Sequence, residues 1–97
     1  MKPALFRAEA EAEFREASEW YETRRPQLGQ DFRSAVETAV RRICETPERW
    51  TPAGEDTRRI LVRRFPYSVV YTILPAHILI IAVAHHKRSH RYWKNRI

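Results

Sequence analysis

The longest unbroken apolar run of the sequence is Ile78-Leu79-Ile80-Ile81-Ala82-Val83-Ala84. A strand with one face in water alternates apolar and polar residues, whereas a continuous apolar run is typical of a strand covered on both faces. We therefore interpret the segment from Ile78 to His85 as a central strand, and the rest of the fold is arranged around it.

Two further strands are predicted before this run, from Arg59 to Phe65 and from Tyr67 to Leu74. Both segments are rich in β-branched and aromatic residues, which favour strands. Pro66 separates them, and because proline cannot donate a hydrogen bond to a sheet ladder, we expect a bend there. A turn at Pro75-Ala76-His77 leads into the apolar run.

Two helices are predicted in the first half of the chain, after a short strand at Leu5 and Phe6. The first runs from about Ala8 to Arg24 and the second from about Leu28 to Thr46, and Pro26 and Pro47 end them. Apolar residues recur at helical spacing in both, at Ala10, Phe14, Ala17 and Tyr21 in the first and at Leu28, Phe32, Ala35, Val36, Ala39, Val40 and Ile43 in the second. The short link predicts an antiparallel helical hairpin.

These elements predict an α+β fold, in which an N-terminal helical hairpin packs on a small twisted, mainly antiparallel sheet. A chain of 97 residues supports one modest core, so we expect a single domain over residues 1–97. The segment from Glu48 to Thr57 is expected to be a loop, and the one from His86 to Ile97 to lie at the sheet edge or across the sheet. Trp20, Tyr21 and Tyr71 are expected in the core or in the packing of the hairpin.

Charge is distributed unevenly along the chain. Residues 57–97 carry nine Lys and Arg residues and no Asp or Glu, because Asp56 is the last acidic residue. This predicts that one half of the protein presents a uniform cationic surface, which would attract nucleic acid or an acidic peptide.

Other features exclude whole classes of protein. The apolar stretch from Tyr67 to Ala84 is interrupted by polar residues and proline, so it does not predict a membrane span. No apolar signal-peptide core follows Met1, and we expect a cytoplasmic protein. Cys44 is the only cysteine, and His85, His86 and His90 do not form a convincing zinc set because neighbours on a strand point to opposite faces. We expect no cofactor and no metal site.

A series of short motifs spread over almost the whole chain resembles the RelE/ParE toxin superfamily. The motifs are Glu16-Ala17 with Trp20-Tyr21-Glu22, Pro26-Gln27-Leu28-Gly29 with Phe32, Pro47-Glu48-Arg49, Arg58-Arg59, Arg63-Arg64-Phe65-Pro66-Tyr67, and Val83-Ala84-His85-His86 with Arg88 and Tyr92-Trp93. The resemblance implies a toxin of a type II toxin–antitoxin system, of the plasmid-stabilisation type. It also implies a cognate antitoxin and a target in translation or replication.

RelE-like members of this superfamily cleave mRNA on the ribosome. That chemistry needs a proton acceptor, cations that stabilise the phosphorane and a donor for the leaving oxygen. In this chain the resemblance carries a role only onto Arg88 and Tyr92. From the residues themselves, His85, His86 or His90 would act as base or acid, with Arg88, Arg63 or Arg64 as charge stabilisers. If the protein is a nuclease, the catalytic residues are therefore predicted to be His86, Arg88 and Tyr92. Two positions depart from the RelE pattern, because Ser68 and His86 stand where RelE-like nucleases have arginines. With fixed positive charge lost at both, the RelE mechanism is the alternative interpretation rather than the main one.

ParE-like members bind DNA gyrase and inhibit it, which requires no catalytic base. The long hairpin and the serine at position 68 favour this branch, so gyrase inhibition is the main prediction. Residues expected to bind the target or nucleic acid are Arg58, Arg59, Arg63, Arg64, Lys87, Arg91 and Trp93. A third hypothesis is a non-toxic homologue that retains only antitoxin binding. In each case we expect an acidic, partly disordered antitoxin segment to dock on the cationic sheet face or along the hairpin.

Overall fold

The computed structural model describes residues 1–89 and 91–97. Along the chain it contains β1 (Ala4–Phe6), α1 (Ala8–Arg24), α2 (Leu28–Glu45), β2 (Thr51–Gly54), β3 (Thr57–Leu61), β4 (Tyr67–Ile73), β5 (Ile78–His85) and a short 3-10 helix (Lys94–Arg96). The helical hairpin packs on the sheet, which confirms the α+β class. Within the described residues, no helix is both long and apolar enough to cross a membrane.

The five strands form one sheet in the order β1-β5-β4-β3-β2. Neighbouring strands are antiparallel except for β1 and β5, which run parallel with Ala4 opposite Ile78 and Phe6 opposite Ile80. Strand β5 therefore lies inside the sheet, as its apolar run predicts. Its residues are buried on both faces, with Ile78, Ile80 and Val83 toward the helices and Ile81, Ala82 and Ala84 on the opposite face.

The predicted strand boundaries are wrong at two places. Strand β3 ends at Leu61 rather than Phe65, because Val62 N donates to Tyr67 O (2.9 Å) and closes a tight turn in which Arg64 has a φ of 74°. The predicted loop before it contains β2, which pairs with β3. Pro52 argues against a strand in the sequence, because proline cannot donate a ladder hydrogen bond. It is tolerated in β2 because β2 lies at the sheet edge.

The hairpin is closed by the carboxylate of Glu22 at the start of α2. Glu22 Oε2 accepts from Gln27 N (3.1 Å) and Oε1 accepts from Gly29 N (3.0 Å), so it satisfies two amides and places negative charge at a helix N-terminus. A Cβ atom on Gly29 would lie 2.5 Å from the Ser18 carbonyl oxygen. Only glycine allows α1 and α2 to cross this closely.

Aromatic rings join the hairpin to the sheet. Phe32, which is fully buried, contacts Tyr21, Phe65 and Tyr67 with ring centroids 4.9 to 5.2 Å apart. Tyr71 is also fully buried, and its hydroxyl donates to Pro47 O. Trp20 is 51% exposed, so its predicted core position is wrong; it contacts Tyr21 only edge-on, at 5.1 Å.

The C-terminal segment, described for residues 86–89 and 91–97, lies on the sheet face opposite the helices. Trp93 is 6% exposed and packs there with Val70, Ile81, Ala82 and Ala84. This confirms one of the two predicted paths for the segment. Trp93, which the sequence placed among the residues expected to bind the target or nucleic acid, is therefore largely buried in this core.

Candidate functional site

A cavity of about 140 Å³ lies on this second face of the sheet, under the C-terminal segment. Strand β3 contributes Arg59 and β4 contributes Ser68, while the end of β5 and the segment after it contribute the predicted trio His86, Arg88 and Tyr92. The full lining is Arg59, Ser68, Val70, Ala84, His85, His86, Arg88, Ser89, Tyr92 and Trp93. The fold thus brings the predicted catalytic residues into one cavity with Arg59 and Trp93, which were predicted to bind the target.

Ser68 and His86 form one hydrogen-bonded unit in this cavity. Ser68 Oγ lies 3.0 Å from His86 Nε2, and Ser68 is only 4% exposed. The backbone of His86 is fixed because its N–H donates to Pro66 O (2.9 Å). The two positions that depart from the RelE pattern therefore contact each other.

His85 points to the other face, as predicted for neighbours on a strand. Its ring packs on Tyr67, with centroids 5.0 Å apart, and its Nδ1 accepts from Lys87 N (3.0 Å). His90, considered with these histidines in the sequence, lies outside the described residues. Among the residues that are described, no cluster of three or more His, Cys, Asp or Glu side chains could hold a metal ion.

Glu13 of α1 organises the C-terminal segment. Its Oε2 accepts from the Tyr92 hydroxyl (2.7 Å) and lies 3.6 Å from Arg88, while its Oε1 accepts from Arg96 (3.0 Å). Oε1 also accepts from Val83 N (3.0 Å). This amide lies beyond the pairing of β1, which reaches only to Ile80. One carboxylate therefore joins a helix, a strand edge and the C-terminal segment.

Glu13 was not predicted as a site residue, because a glutamate in a helix rich in acidic residues is ordinarily expected to face solvent. One signal was present: Glu13 lies three residues after Ala10 and four before Ala17, on the helix face that those buried alanines define. Its own side chain is only 14% exposed.

Two of the predicted catalytic residues, Arg88 and Tyr92, contact Glu13. Burial, and then the hydrogen bond to Glu13, raise the pKa of the Tyr92 hydroxyl well above its usual range. The Arg88 guanidinium lies 3.8 Å over the Tyr92 ring and beside the same carboxylate. Tyr92 is thus held as a neutral donor, and Arg88, whose side chain is 52% exposed, shares the Glu13 carboxylate with Arg96.

The predicted uniform cationic half is wrong, because acidic residues of the first half reach into it. Besides the contacts of Glu13, Arg91 pairs with Glu55 (2.8 Å) and Arg64 lies 4.0 Å from Asp31. Arg58 donates to the carbonyl oxygen of Trp50 (2.8 Å), the residue immediately before β2. The exposed cations for which the described part of the chain shows no ion pair include Arg59, Arg63 and Lys87.

A second, wider cavity of about 510 Å³ lies between α1 and the β3–β4 turn. Its walls are Glu13, Glu16, Ala17, Trp20, Tyr21, Pro66, Tyr67, Val83, His85 and Arg88. The exposed Trp20 ring forms one side, with the Arg24 guanidinium 4.2 Å from its centroid. Three of its ten lining residues are tyrosine or tryptophan, and His85 and Arg88 line both cavities.

Comparison with known proteins supplies two findings. Residues 4–90 match the family model of the ParE toxin of type II toxin-antitoxin systems, parDE. The fold is similar to a chain of the chromosomal ParDE toxin–antitoxin system from P. aeruginosa, with a TM-score of 0.77 and 13% identity over 88% of this chain and 96% of that chain. No curated protein matches by sequence.

Proposed function

The chain belongs to the ParE toxin family of type II toxin–antitoxin systems, and from that premise we propose that it inhibits DNA gyrase and thereby replication. Membership in this family implies an antitoxin partner. We further propose that residues 1–97 act as one toxin domain in the cytoplasm, where gyrase and chromosomal DNA are found.

The arrangement around Glu13 supports a binding role over a catalytic one. Cleavage of mRNA would need Arg88 free to stabilise a phosphorane and Tyr92 free to exchange a proton. Instead both side chains contact Glu13, and the Tyr92 hydroxyl donates to it at 2.7 Å. A toxin that acts by binding its target requires neither group to be free.

The exposed cations of the β3–β4 turn are our candidates for contact with the target. Arg63 is exposed and has no ion pair with residues 1–89 or 91–97, and the side chain of Arg64 is 67% exposed at 4.0 Å from Asp31. Gyrase acts on DNA, and the phosphates of the bound DNA carry negative charge. A gyrase–DNA complex would therefore attract a cationic patch such as this one. Lys87, at the end of β5, extends the exposed charge.

The antitoxin is proposed to supply an acidic, partly disordered segment that orders on binding. The groove beside Trp20 offers apolar surface along the hairpin, and the exposed Arg59, Arg63 and Lys87 offer charge on the sheet side. A segment that covers both would use apolar anchors for affinity and carboxylates for orientation.

The direct test is a supercoiling assay with purified gyrase and the purified toxin. We expect inhibition that is lost in the double variant Arg63→Glu/Arg64→Glu and retained in Arg15→Glu/Arg41→Glu, which reverses the same charge on exposed helix positions. If both double variants lose inhibition equally, the β3–β4 turn is not the contact surface.

Pulse labelling in a bacterial host identifies the target process in cells. After induction without antitoxin, we expect thymidine incorporation to fall before methionine incorporation. A fall in methionine first would contradict the proposal and favour mRNA cleavage. Normal growth of cells that fully express the protein would also contradict the proposal. The remaining hypothesis would then be a non-toxic homologue that only binds the antitoxin.

A further inference from the structure

We propose that the open edge of strand β1 pairs with the same edge of a second copy of this chain, so that two five-stranded sheets join into one continuous sheet. This inference does not rest on gyrase as the target, because it follows from the strand order and from the backbone of β1.

The backbone of β1 leaves hydrogen-bonding groups at the sheet edge. The C=O of Pro3 and the N–H of Arg7 both bond to β5, at 2.8 and 2.9 Å. Successive residues of a strand alternate in direction, so Leu5 also turns its backbone groups toward β5. The N–H and C=O groups of Ala4 and Phe6 therefore point away from the sheet, and in the described part of the chain no strand lies beyond them.

These outward groups are complementary to themselves. In an antiparallel pairing of two β1 strands, Ala4 of one copy would exchange two hydrogen bonds with Phe6 of the other, and the reverse pair would do the same. Leu5 would then lie opposite Leu5 of the second copy, at the two-fold axis. Such a pairing is an isologous interface, the kind that a two-fold dimer uses.

Leu5 supplies apolar surface at this axis. It is 52% exposed although it lies in a strand. Its register partner is Leu79, which packs against the buried cluster on the sheet face opposite the helices, so Leu5 lies on that face too. Opposed residues that do not share hydrogen bonds approach to about 4.5 Å between Cα atoms. The two Leu5 side chains would therefore contact each other and lose exposure to water.

Charges of opposite sign at the two ends of β1 favour the antiparallel orientation. Lys2 precedes the strand, and its ammonium donates to Leu74 O (2.8 Å). Glu9 follows the strand in the first turn of α1, where it lies 3.3 Å from Arg7 with its side chain 47% exposed. The antiparallel register places position 2 of one copy opposite position 8 of the other, next to Glu9. A parallel pairing would instead bring the two Lys2 side chains together.

The pairing is expected to be weak and specific to this edge. Strand β1 has three residues, which can form only a small part of the roughly 1,600 Å² that a standard interface buries. We therefore expect a dimer fraction that rises with protein concentration. At the opposite edge of the sheet β2 contains Pro52, and proline at an edge discourages strand addition because it lacks an N–H donor.

The first test is disulfide cross-linking of the full chain through one introduced cysteine. Cys44, the only native cysteine, is removed by Cys44→Ser, and Leu5→Cys is compared with Leu61→Cys in that background. Both leucines are exposed, at 52% and 62%, but Leu61 lies on β3, away from the β1 edge. A Cα separation of about 4.5 Å is one that a disulfide can bridge. We expect Leu5→Cys to form a reducible dimer about tenfold faster, because pairing raises the local thiol concentration.

The second test is sedimentation equilibrium over a series of protein concentrations. We expect the mean mass of the parent chain to rise toward that of two chains. Leu5→Lys places like charges opposite each other and should weaken the dimer about tenfold. Leu61→Lys is the matched control and should behave as the parent does. Circular dichroism shows whether each variant is folded.

The proposal is overturned by any of three results. Equal cross-linking rates of Leu5→Cys and Leu61→Cys would mean random collision. A parent mass that stays at one chain, with Leu5→Cys left uncross-linked, would mean that a second copy does not use this edge. Equal weakening by Leu5→Lys and Leu61→Lys would mean that net charge controls association. Gyrase inhibition enters neither test, so failure here is distinct from failure of the proposed function.

Discussion

Ser68 Oγ lies 3.0 Å from Nε2 of His86, and this bond joins the interior of β4 to the segment that follows β5. In the sequence the two residues are separate departures from the RelE pattern. In the fold they form one polar unit at the wall of a cavity, so a change in one alters the chemistry of the other.

Replacing the buried hydroxyl should change the state of His86 more than the stability of the fold. We expect Ser68→Ala to lower the free energy of unfolding by about 0.5–1.5 kcal/mol, because His86 is exposed and can bond to water instead. The ring-nitrogen NMR signals of His86 should shift, while those of His85, whose Nδ1 accepts from Lys87 N, should not. Unchanged His86 signals would show that the bond does not form in solution.

The carboxylate of Glu13 should matter most among the acidic residues of α1. Glu13→Gln keeps one acceptor oxygen but removes the charge that Arg88 and Arg96 share. We expect urea unfolding to show a loss of about 2–4 kcal/mol, because two arginines and the Tyr92 hydroxyl lose a partly buried partner.

Glu16→Gln is the matched control for this variant. Glu16 lies one turn further along α1 and is exposed, so its change should stay within about 0.5 kcal/mol. Equal effects of the two substitutions would mean that Glu13 contributes only surface charge.

The hairpin crossing predicts an unusual sign for a glycine substitution. Alanine stabilises an ordinary helix position over glycine by about 1 kcal/mol, but a Cβ at position 29 would lie 2.5 Å from Ser18 O and 2.9 Å from Glu22 Cβ. We expect Gly29→Ala to destabilise the protein by about 1–3 kcal/mol, measured by thermal or urea unfolding. A stabilised variant would show that the two helices cross less closely.

Alkaline pH should weaken the fold through its tyrosines. The pKa of each of the four tyrosines is raised above the ordinary value of 10.0, chiefly by burial, and that of Tyr71 is raised to about 12. The unfolded chain loses these protons near pH 10 while the folded chain keeps them. Their contribution to stability is therefore complete below about pH 10 and declines as the pH rises toward the folded values.

Urea unfolding near pH 8 and near pH 11 measures this decline, and absorbance at about 295 nm reports ionised tyrosine. We expect Tyr92→Phe to reduce the dependence of stability on pH above about 10. Full tyrosinate absorbance near pH 10, in protein whose circular dichroism is still native, would contradict the prediction.

The elements that sequence patterns predicted are those with a local physical signal. The apolar run of β5 and the helical spacing of Ala10, Phe14, Ala17 and Tyr21 are confirmed by burial on the expected faces. Strand β2 was missed because it holds Pro52 and Gly54 and is defined only by its pairing with β3.

The predicted site was incomplete for a related reason. His86, Arg88 and Tyr92 are close in sequence and meet in one cavity, but the carboxylate that holds two of them comes from α1. Charge counting along the chain could not reveal this, because it treats the two halves as separate surfaces. Contacts between residues far apart in sequence are set by packing, and no local pattern encodes them.

The parallel pairing of β1 with β5 has a consequence for biosynthesis. Residues of α1 and α2 can form their hairpin soon after they leave the ribosome, which adds about 5–20 residues per second. Strand β1, by contrast, cannot pair until β5 has been synthesised, because the partner of Ala4 is Ile78. During translation the first strand therefore has no partner until β5 emerges, and the cavity face of the sheet cannot exist before that moment. A nascent chain stalled before β5 would carry the helices of the toxin without its candidate binding surface.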